Sequence, residues 1–154
     1  MATSITPATL TLTVKEEINI NGSENGSLNQ KAISNITQIF KRIVSCPASL
    51  DTTILKFASA VNVGPNDLDV DDCKYLRVTN KDSANAVKVA YVTTNTNFQV
   101  NLAAGESHIF GAPTALAFGD DDTDPQFPTL ENLVQVEINP AGNIVDVEVF
   151  AASV

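Results

Sequence analysis

The sequence has little of what metal binding, catalysis or nucleic-acid binding requires. Among 154 residues there is no tryptophan, one histidine (His108) and two cysteines (Cys46 and Cys73). A zinc site is not expected, because His108 alone could supply a nitrogen ligand and two cysteines make no metal motif. Nine Lys and Arg residues against 18 Asp and Glu leave a net charge of −9. Such a chain neutralises phosphates poorly, so we expect no nucleic-acid partner.

Long apolar runs are also missing, although 44% of the residues are hydrophobic. No segment is apolar for long enough to be a membrane-spanning helix, so no membrane partner is expected. The N-terminus shows neither a basic region nor an apolar core of a secretory signal. We therefore expect a protein made in a cytoplasm and kept there or released by lysis. A reducing compartment would leave Cys46 and Cys73 as buried thiols, with a disulfide between them as the alternative.

What the chain does have is alternation of polar and apolar residues at period two, which is typical of half-buried strands. The alternation predicts a long N-terminal strand from Thr9 to Val14, extended by Ile18 and Ile20. Two Asn-Gly pairs, at 21–22 and 25–26, predict a hairpin or short loop after it. Leu28 to Val44 fits either helical or strand spacing, and its β-branched residues favour strand with a bend near Ser34 and Asn35. The Cys46-Pro47 pair should end that strand.

Further strands follow at the spacing of an all-β domain. Residues 52–58 are predicted as a strand and 62–72 as a loop rich in Gly, Pro, Asn and Asp. From Cys73 to Phe110 four short strands separated by polar turns predict a meander. A long acidic connection with three prolines runs from 112 to 129. Two alternating strands, at 133–138 and 144–150, close the domain around a turn at 139–143.

The pattern as a whole predicts one all-β domain spanning residues 1–154. About nine strands without a convincing long helix favour a two-sheet antiparallel β-sandwich, with a jelly roll as the expected arrangement. A chain of this length is sufficient for one hydrophobic core.

Two acidic clusters are the only metal-like patterns. Asp120, Asp122, Asp124 and Glu131 occupy positions 1, 3, 5 and 12 of a calcium-loop template. Position 6 of that template requires glycine, and this chain has Pro125. We interpret the segment as a solvated acidic loop without a cofactor, with Ca²⁺ binding as the alternative. A second cluster, formed by Asp67, Asp69, Asp71 and Asp72, carries the same alternative.

Catalytic residues are not apparent. His108 could act as a general base, but the sequence around it, Gly105-Glu106-Ser107-His108-Ile109, lacks the second glycine of a nucleophile elbow. Without a nucleophile, a base and an oxyanion site in one pattern, we predict no enzyme activity. A carbohydrate-binding or receptor-binding module is the alternative class, for which Tyr75 and Tyr91 offer the amphipathic rings.

Four segments with strand and turn patterns follow one another along the chain: residues 11–22, 39–44, 75–80 and 102–107. In these segments and their order the sequence resembles small β-sandwich virion proteins of marine-type tailed bacteriophages. The resemblance implies a structural protein of the virion, most simply a capsid decoration or cement protein, with a neck or tail accessory protein as the alternative. It implies the major capsid protein, other virion proteins and further copies of this chain as partners.

Such a protein would act by surface complementarity rather than chemistry. We expect an extended N-terminal arm at 1–9 and the acidic loop at 112–129 to become ordered on neighbouring chains, by addition of a strand to an exposed sheet edge.

Overall fold

The computed structural model of the protein describes residues 4–58, 67–114, 117–118 and 129–154. Within these ranges the regular structure is all β, which confirms the predicted fold class. The strands of the first half are β1 (Ala8–Glu16), β2 (Asn19–Ile20), β3 (Ser23–Glu24), β4 (Ser27–Ile36), β5 (Gln38–Cys46), β6 (Thr52–Ala58) and β7 (Asp67–Asp69). Those of the second half are β8 (Cys73–Asn80), β9 (Val87–Val92), β10 (Asn97–Leu102), β11 (Ser107–Phe110), β12 (Ala117–Phe118), β13 (Leu130–Glu131), β14 (Gln135–Pro140) and β15 (Val145–Ser153).

Two sheets form the sandwich. One has four strands in the order β11-β8-β15-β5, and the other has five in the order β10-β9-β14-β6-β7. Without β7, the eight strands have the jelly-roll order: successive strands lie in opposite sheets except β9 and β10, which form a hairpin, and the first strand of the sandwich, β5, pairs with its last, β15. The predicted jelly roll is therefore the observed arrangement.

The core lies between the two sheets and is built by the alternation seen in the sequence. Val145, Val147 and Val149 of β15 point inward and are fully buried, whereas Asp146 between them is exposed. The other large, fully buried side chains come from both sheets and one loop: Leu55, Leu76, Val78, Val87, Val89, Tyr91, Leu133, Val136 and Ile138.

Each strand of the predicted meander from Cys73 to Phe110 exists, and the predicted pairing of β9 with β10 is confirmed, but the pairings of β8 with β9 and of β10 with β11 are wrong. β8 and β11 lie in the four-stranded sheet, whereas β9 and β10 pair with each other in the five-stranded one. The chain crosses between sheets at 81–86 and again at 103–106. Local alternation cannot distinguish a hairpin turn from a crossover, because both separate two amphipathic strands by a few polar residues.

Asn80 holds both crossovers in place. Its fully buried side-chain amide donates to the carbonyl oxygens of Asn85 (2.8 Å), Leu102 (3.1 Å) and Ala103 (3.1 Å). Its side-chain oxygen accepts a hydrogen bond of 2.9 Å from the backbone of Asp82. One side chain thereby satisfies backbone groups of both crossovers.

The segment 28–44 is strand, as predicted, with its bend at Asn35, which has a φ of 65°. Asn35 lies within β4, where the register with β1 shifts, and the break between β4 and β5, which belong to different sheets, falls at Thr37. β5 ends at Cys46, before Pro47, as predicted.

Two predicted loops contain short strands. Asp67–Asp69 forms β7, which pairs parallel to β6 and buries Leu68 between its two aspartates. In the 112–129 connection, Ala117–Phe118 pairs with Leu130–Glu131. β14 and β15 also run further than predicted, to Pro140 and Ser153. Alternation at three residues or fewer is too short to stand out from loop composition.

Candidate interaction surface

A β-hairpin arm precedes the sandwich. β1 and β4 pair antiparallel from Ala8↔Ile36 to Glu16↔Ser27, and the small β2-β3 hairpin continues the arm at its end. The turn uses Asn21 and Gly22, both with positive φ, as the Asn-Gly pair predicts. Gly26 passes so close to β1 that a Cβ there would lie 2.2 Å from the carbonyl oxygen of Glu16.

The base of the arm packs on the outer face of the four-stranded sheet. Ile36 of the arm forms a second hydrophobic cluster with Tyr75 of β8 and Ala152 of β15. Half-buried side chains complete that cluster: Leu10, Leu12, Ile33 and Phe150. The Tyr75 and Phe150 rings meet edge to face, with centroids 5.9 Å apart. The arm is thus anchored by apolar contacts at its base.

The rest of the arm, residues 14–28, which we call the arm tip, exposes large aliphatic side chains. Val14 follows Leu10 and Leu12 on the same face of β1, yet it is exposed. Ile18, Ile20 and Leu28 are 48%, 54% and 61% exposed. Val14 and Leu28 lie on opposite faces of the β1-β4 pair, because Leu28 is opposite Lys15 in the register. Large aliphatic side chains exposed on the arm tip leave apolar surface in water, which favours contact with another chain.

A second exposed apolar surface lies along β5, an edge strand of the four-stranded sheet. Ile39, Lys41 and Ile43 share the outer face, and we call them the β5 strip. Ile39 and Ile43 are 62% and 59% exposed. Among the described residues β5 pairs with one strand, β15, which makes it an edge strand of the sheet.

Lys41 belongs to an ion cluster on that outer face. One carboxylate oxygen of the nearly buried Glu148 of β15 accepts a hydrogen bond from the Arg77 guanidinium. The other carboxylate oxygen lies 3.6 Å from the Lys41 ammonium. The Arg77 guanidinium also lies 5.8 Å from the centroid of the Phe150 ring. Two cations thus share one carboxylate, which leaves the cluster with a net positive charge.

The predicted calcium loop is only partly within the described residues. Asp120, Asp122 and Asp124 lie outside them. Glu131 lies on β13 and accepts hydrogen bonds from the backbone and side-chain amides of Asn95. Hydrogen bonds from Thr93 and Asn95 lower the pKa of the Glu131 carboxyl. Glu131 therefore stabilises the turn at residues 93–96 through these hydrogen bonds.

The second acidic cluster is spread over a strand and the turn after it. Asp67 and Asp69 lie on β7, and the Asp69 carboxylate accepts a hydrogen bond of 2.9 Å from the backbone of Asp71. Over the described ranges, no three His, Cys, Asp or Glu side chains are grouped so as to hold a metal ion.

His108 is half-buried on the core-facing side of β11 and contacts aromatic residues rather than a nucleophile. Its Nδ1 is 2.9 Å from the Tyr91 hydroxyl, and its ring packs edge to face on Phe110. The hydroxyl of the preceding Ser107 lies on the opposite face of β11, where it is 2.7 Å from that of Thr79. The structure thus does not bring His108 and Ser107 together.

Burial lowers the pKa of His108, so acid should weaken the fold through this residue. A lowered pKa means that the unfolded chain binds the proton more readily, and stability falls as the pH drops through the ordinary histidine value of about 6.5. Urea unfolding between pH 7.5 and 5.5 should show this decline in the native chain. The decline should be smaller in His108→Gln, whose side chain does not titrate. Equal slopes for the two proteins would contradict the prediction.

Neither tyrosine provides a platform for a sugar. Tyr91 is fully buried and Tyr75 is 6% exposed. A shallow polar hollow of about 330 Å³ does lie on the outer face of the five-stranded sheet, around Ala90, Gln99 and Glu137. No aromatic ring lines it.

Cys46 and Cys73 are free and buried, as the thiol interpretation predicts. They pair with Val145 and Ser153, near opposite ends of β15. Eight residues of strand separate these positions by roughly 27 Å, far more than the ~7 Å that a disulfide spans. The alternative of a bond between them is therefore wrong. Burial raises the pKa of both thiols, to about 11 for Cys46.

The extended arm expected at 1–9 stays a prediction, and it is distinct from the hairpin arm of β1 and β4. Residues 1–3 lie outside the described part, and β1 already begins at Ala8. The hairpin arm extends to Ile36. Sequence reasoning missed the arm tip and the β5 strip because alternation indicates that one strand face is apolar without showing what covers it.

Comparisons with known proteins do not assign a family. No protein-family model matches the chain, and no curated protein does either. One solved structure is similar in part, a chain of the Bacillus endospore appendages described as "a novel family of disulfide-linked pili". It is 13% identical, with a TM-score of 0.39 over 75% of this chain and 88% of that one. A TM-score of 0.39 supports no inference about this chain, so the jelly-roll assignment is based on the strand order alone.

Across the described ranges, no helix has the length and hydrophobicity needed to cross a membrane.

Proposed function

We propose that the protein is a non-enzymatic structural component of a virus particle, which acts by packing on the particle shell and on copies of itself. The observation that carries the structural role is the arm tip. A hairpin that is anchored at its base and exposes four large aliphatic side chains beyond it has the form of a connector between chains.

The assignment to a virion is supported by the sequence resemblance to small β-sandwich proteins of tailed phages. A decoration or cement role agrees with the acidic surface, since a net charge of −9 favours solubility and repels nucleic acid. A neck or tail accessory protein would use the same surfaces in fewer copies.

The test is quantitative mass spectrometry of purified particles, with the abundance of this chain measured relative to the major shell protein. We expect abundance comparable to that of the shell protein, and particles lacking the chain should break at lower temperature and should be less resistant to low salt. A few copies per particle would assign it to the neck or tail. Absence from particles would contradict the proposal, and specific retention on a glycan array would favour a receptor-binding module.

A further inference from the structure

The arm tip and the β5 strip are both exposed and apolar, and they carry opposite charge. The arm tip contains Glu16, Glu17 and Glu24 against one cation, Lys15. The β5 strip carries Lys41 and no acidic residue, and Arg42 lies on the other face of the strand. Exposed aliphatic side chains accompany the charges on both: Ile18 and Ile20 on the arm tip, Ile39 and Ile43 on the strip.

From this complementarity we propose that the arm tip of one copy docks on the β5 strip of the next copy. The inference rests on the proposed function and names the surface through which copies of the chain associate. Apolar contacts between the two isoleucine pairs would supply the affinity. The carboxylates of the arm tip would meet a cluster in which Lys41 and Arg77 share the Glu148 carboxylate.

The charges also argue against the simplest alternative, in which two β5 edges pair with each other. Lys41 lies next to the middle of the nine-residue strand. An antiparallel β5-β5 pair centred there would place the Lys41 side chains of both copies on the same face and near each other, and like charges on facing edge strands oppose association. An acidic occupant is therefore favoured over a second β5.

Two different surfaces that bind each other form a head-to-tail contact, so assembly continues until a ring closes or a filament grows. The pairing predicts that a copy with a defective arm tip and a copy with a defective β5 strip retain one working contact between them. A twofold-symmetric contact would not have this property.

The experiment uses two double variants of the full chain. Ile18→Thr/Ile20→Thr removes apolar surface from the arm tip, and Ile39→Thr/Ile43→Thr removes it from the strip. Threonine keeps the β-branched shape, and all four positions are about half exposed or more. Leu50→Thr/Ile144→Thr is the matched control, since both residues are exposed away from these surfaces. Thermal unfolding should show that each variant folds.

Sedimentation velocity over a range of concentrations gives the readout. We expect the native chain and the control to self-associate, and each test variant alone to associate at least tenfold more weakly. An equal mixture of the two test variants should form a 1:1 dimer and nothing larger. A monomeric native chain, or a mixture no larger than its parts, overturns the proposal. Neither result affects the particle measurement, so the proposed function is tested separately.

Discussion

Replacing Asn80 by alanine is expected to lower the free energy of unfolding by about 3 kcal/mol. The side-chain amide donates to three backbone carbonyls in the two crossovers, and Asn80 is fully buried. Removing it leaves carbonyl groups with no donor and little access to water, and each unsatisfied buried group costs about 1–3 kcal/mol. Small relaxations of the loops should recover part of that cost.

Urea unfolding, monitored by circular dichroism, measures the change. Asn101→Ala is the matched control, because Asn101 is exposed on β10, and it should change stability by less than about 0.5 kcal/mol. Asn80→Asp tests the mechanism, since a carboxylate of the same shape cannot donate. It should destabilise the fold at least as strongly at neutral pH. A tolerant Asn80→Asp variant would show that these donated bonds contribute little.

Replacing Tyr91 by alanine is expected to cost about 4 kcal/mol. The Tyr91 ring is stacked on Phe98 with centroids 5.1 Å apart and meets Phe110 edge to face at 4.3 Å. These rings come from both sheets, so Tyr91 joins the two layers of the sandwich. Truncation of a buried aromatic side chain removes this contact area and leaves a cavity, at a typical cost of about 3–5 kcal/mol.

Tyr91→Phe separates the ring from the hydroxyl. It keeps the ring contacts and removes only the hydrogen bond to His108, so the loss should be about 1 kcal/mol. Desolvation raises the pKa of Tyr91 far above its usual range, so the hydroxyl stays protonated in ordinary buffers. Chemical unfolding of the two variants at pH 7.5 measures both losses. Equal losses would mean that the hydroxyl, and not the ring, joins the layers.

The sequence predicts strands more accurately than their partners. Residues 52–58 and the end of β5 at Cys46 follow from alternation and from Pro47, which are local properties. β8 pairs with β15 and not with β9, through contacts between residues some seventy positions apart in the sequence. Local alternation carries no information about such contacts. Asn80 is similar: in the sequence it is one more turn residue before Lys81 and Asp82.

The candidate surface was predictable only in part. The Asn21-Gly22 turn and the strand from Thr9 to Val14 indicate a hairpin near the N-terminus. Leu12 is half-buried and Val14 is exposed, because the contacts between the arm and the four-stranded sheet include Leu12 and not Val14. Alternation in the sequence does not show where such contacts end. The acidic clusters, which have the more recognisable spacing, show no metal geometry over the described residues.

The place of β15 in the sheet has a consequence for the order of folding. It lies between β5 and β8, yet it is the last strand of the sandwich to leave the ribosome. Until residues 145–153 emerge, β5 and β8 have no strand between them. The inner face of the five-stranded sheet then lacks the central strand of the sheet that packs on it. Closure must then bridge about a hundred residues, and pairings that distant form slowly. β5 and β8 therefore lack their shared partner until β15 is made, and the sandwich should close in one late, cooperative step.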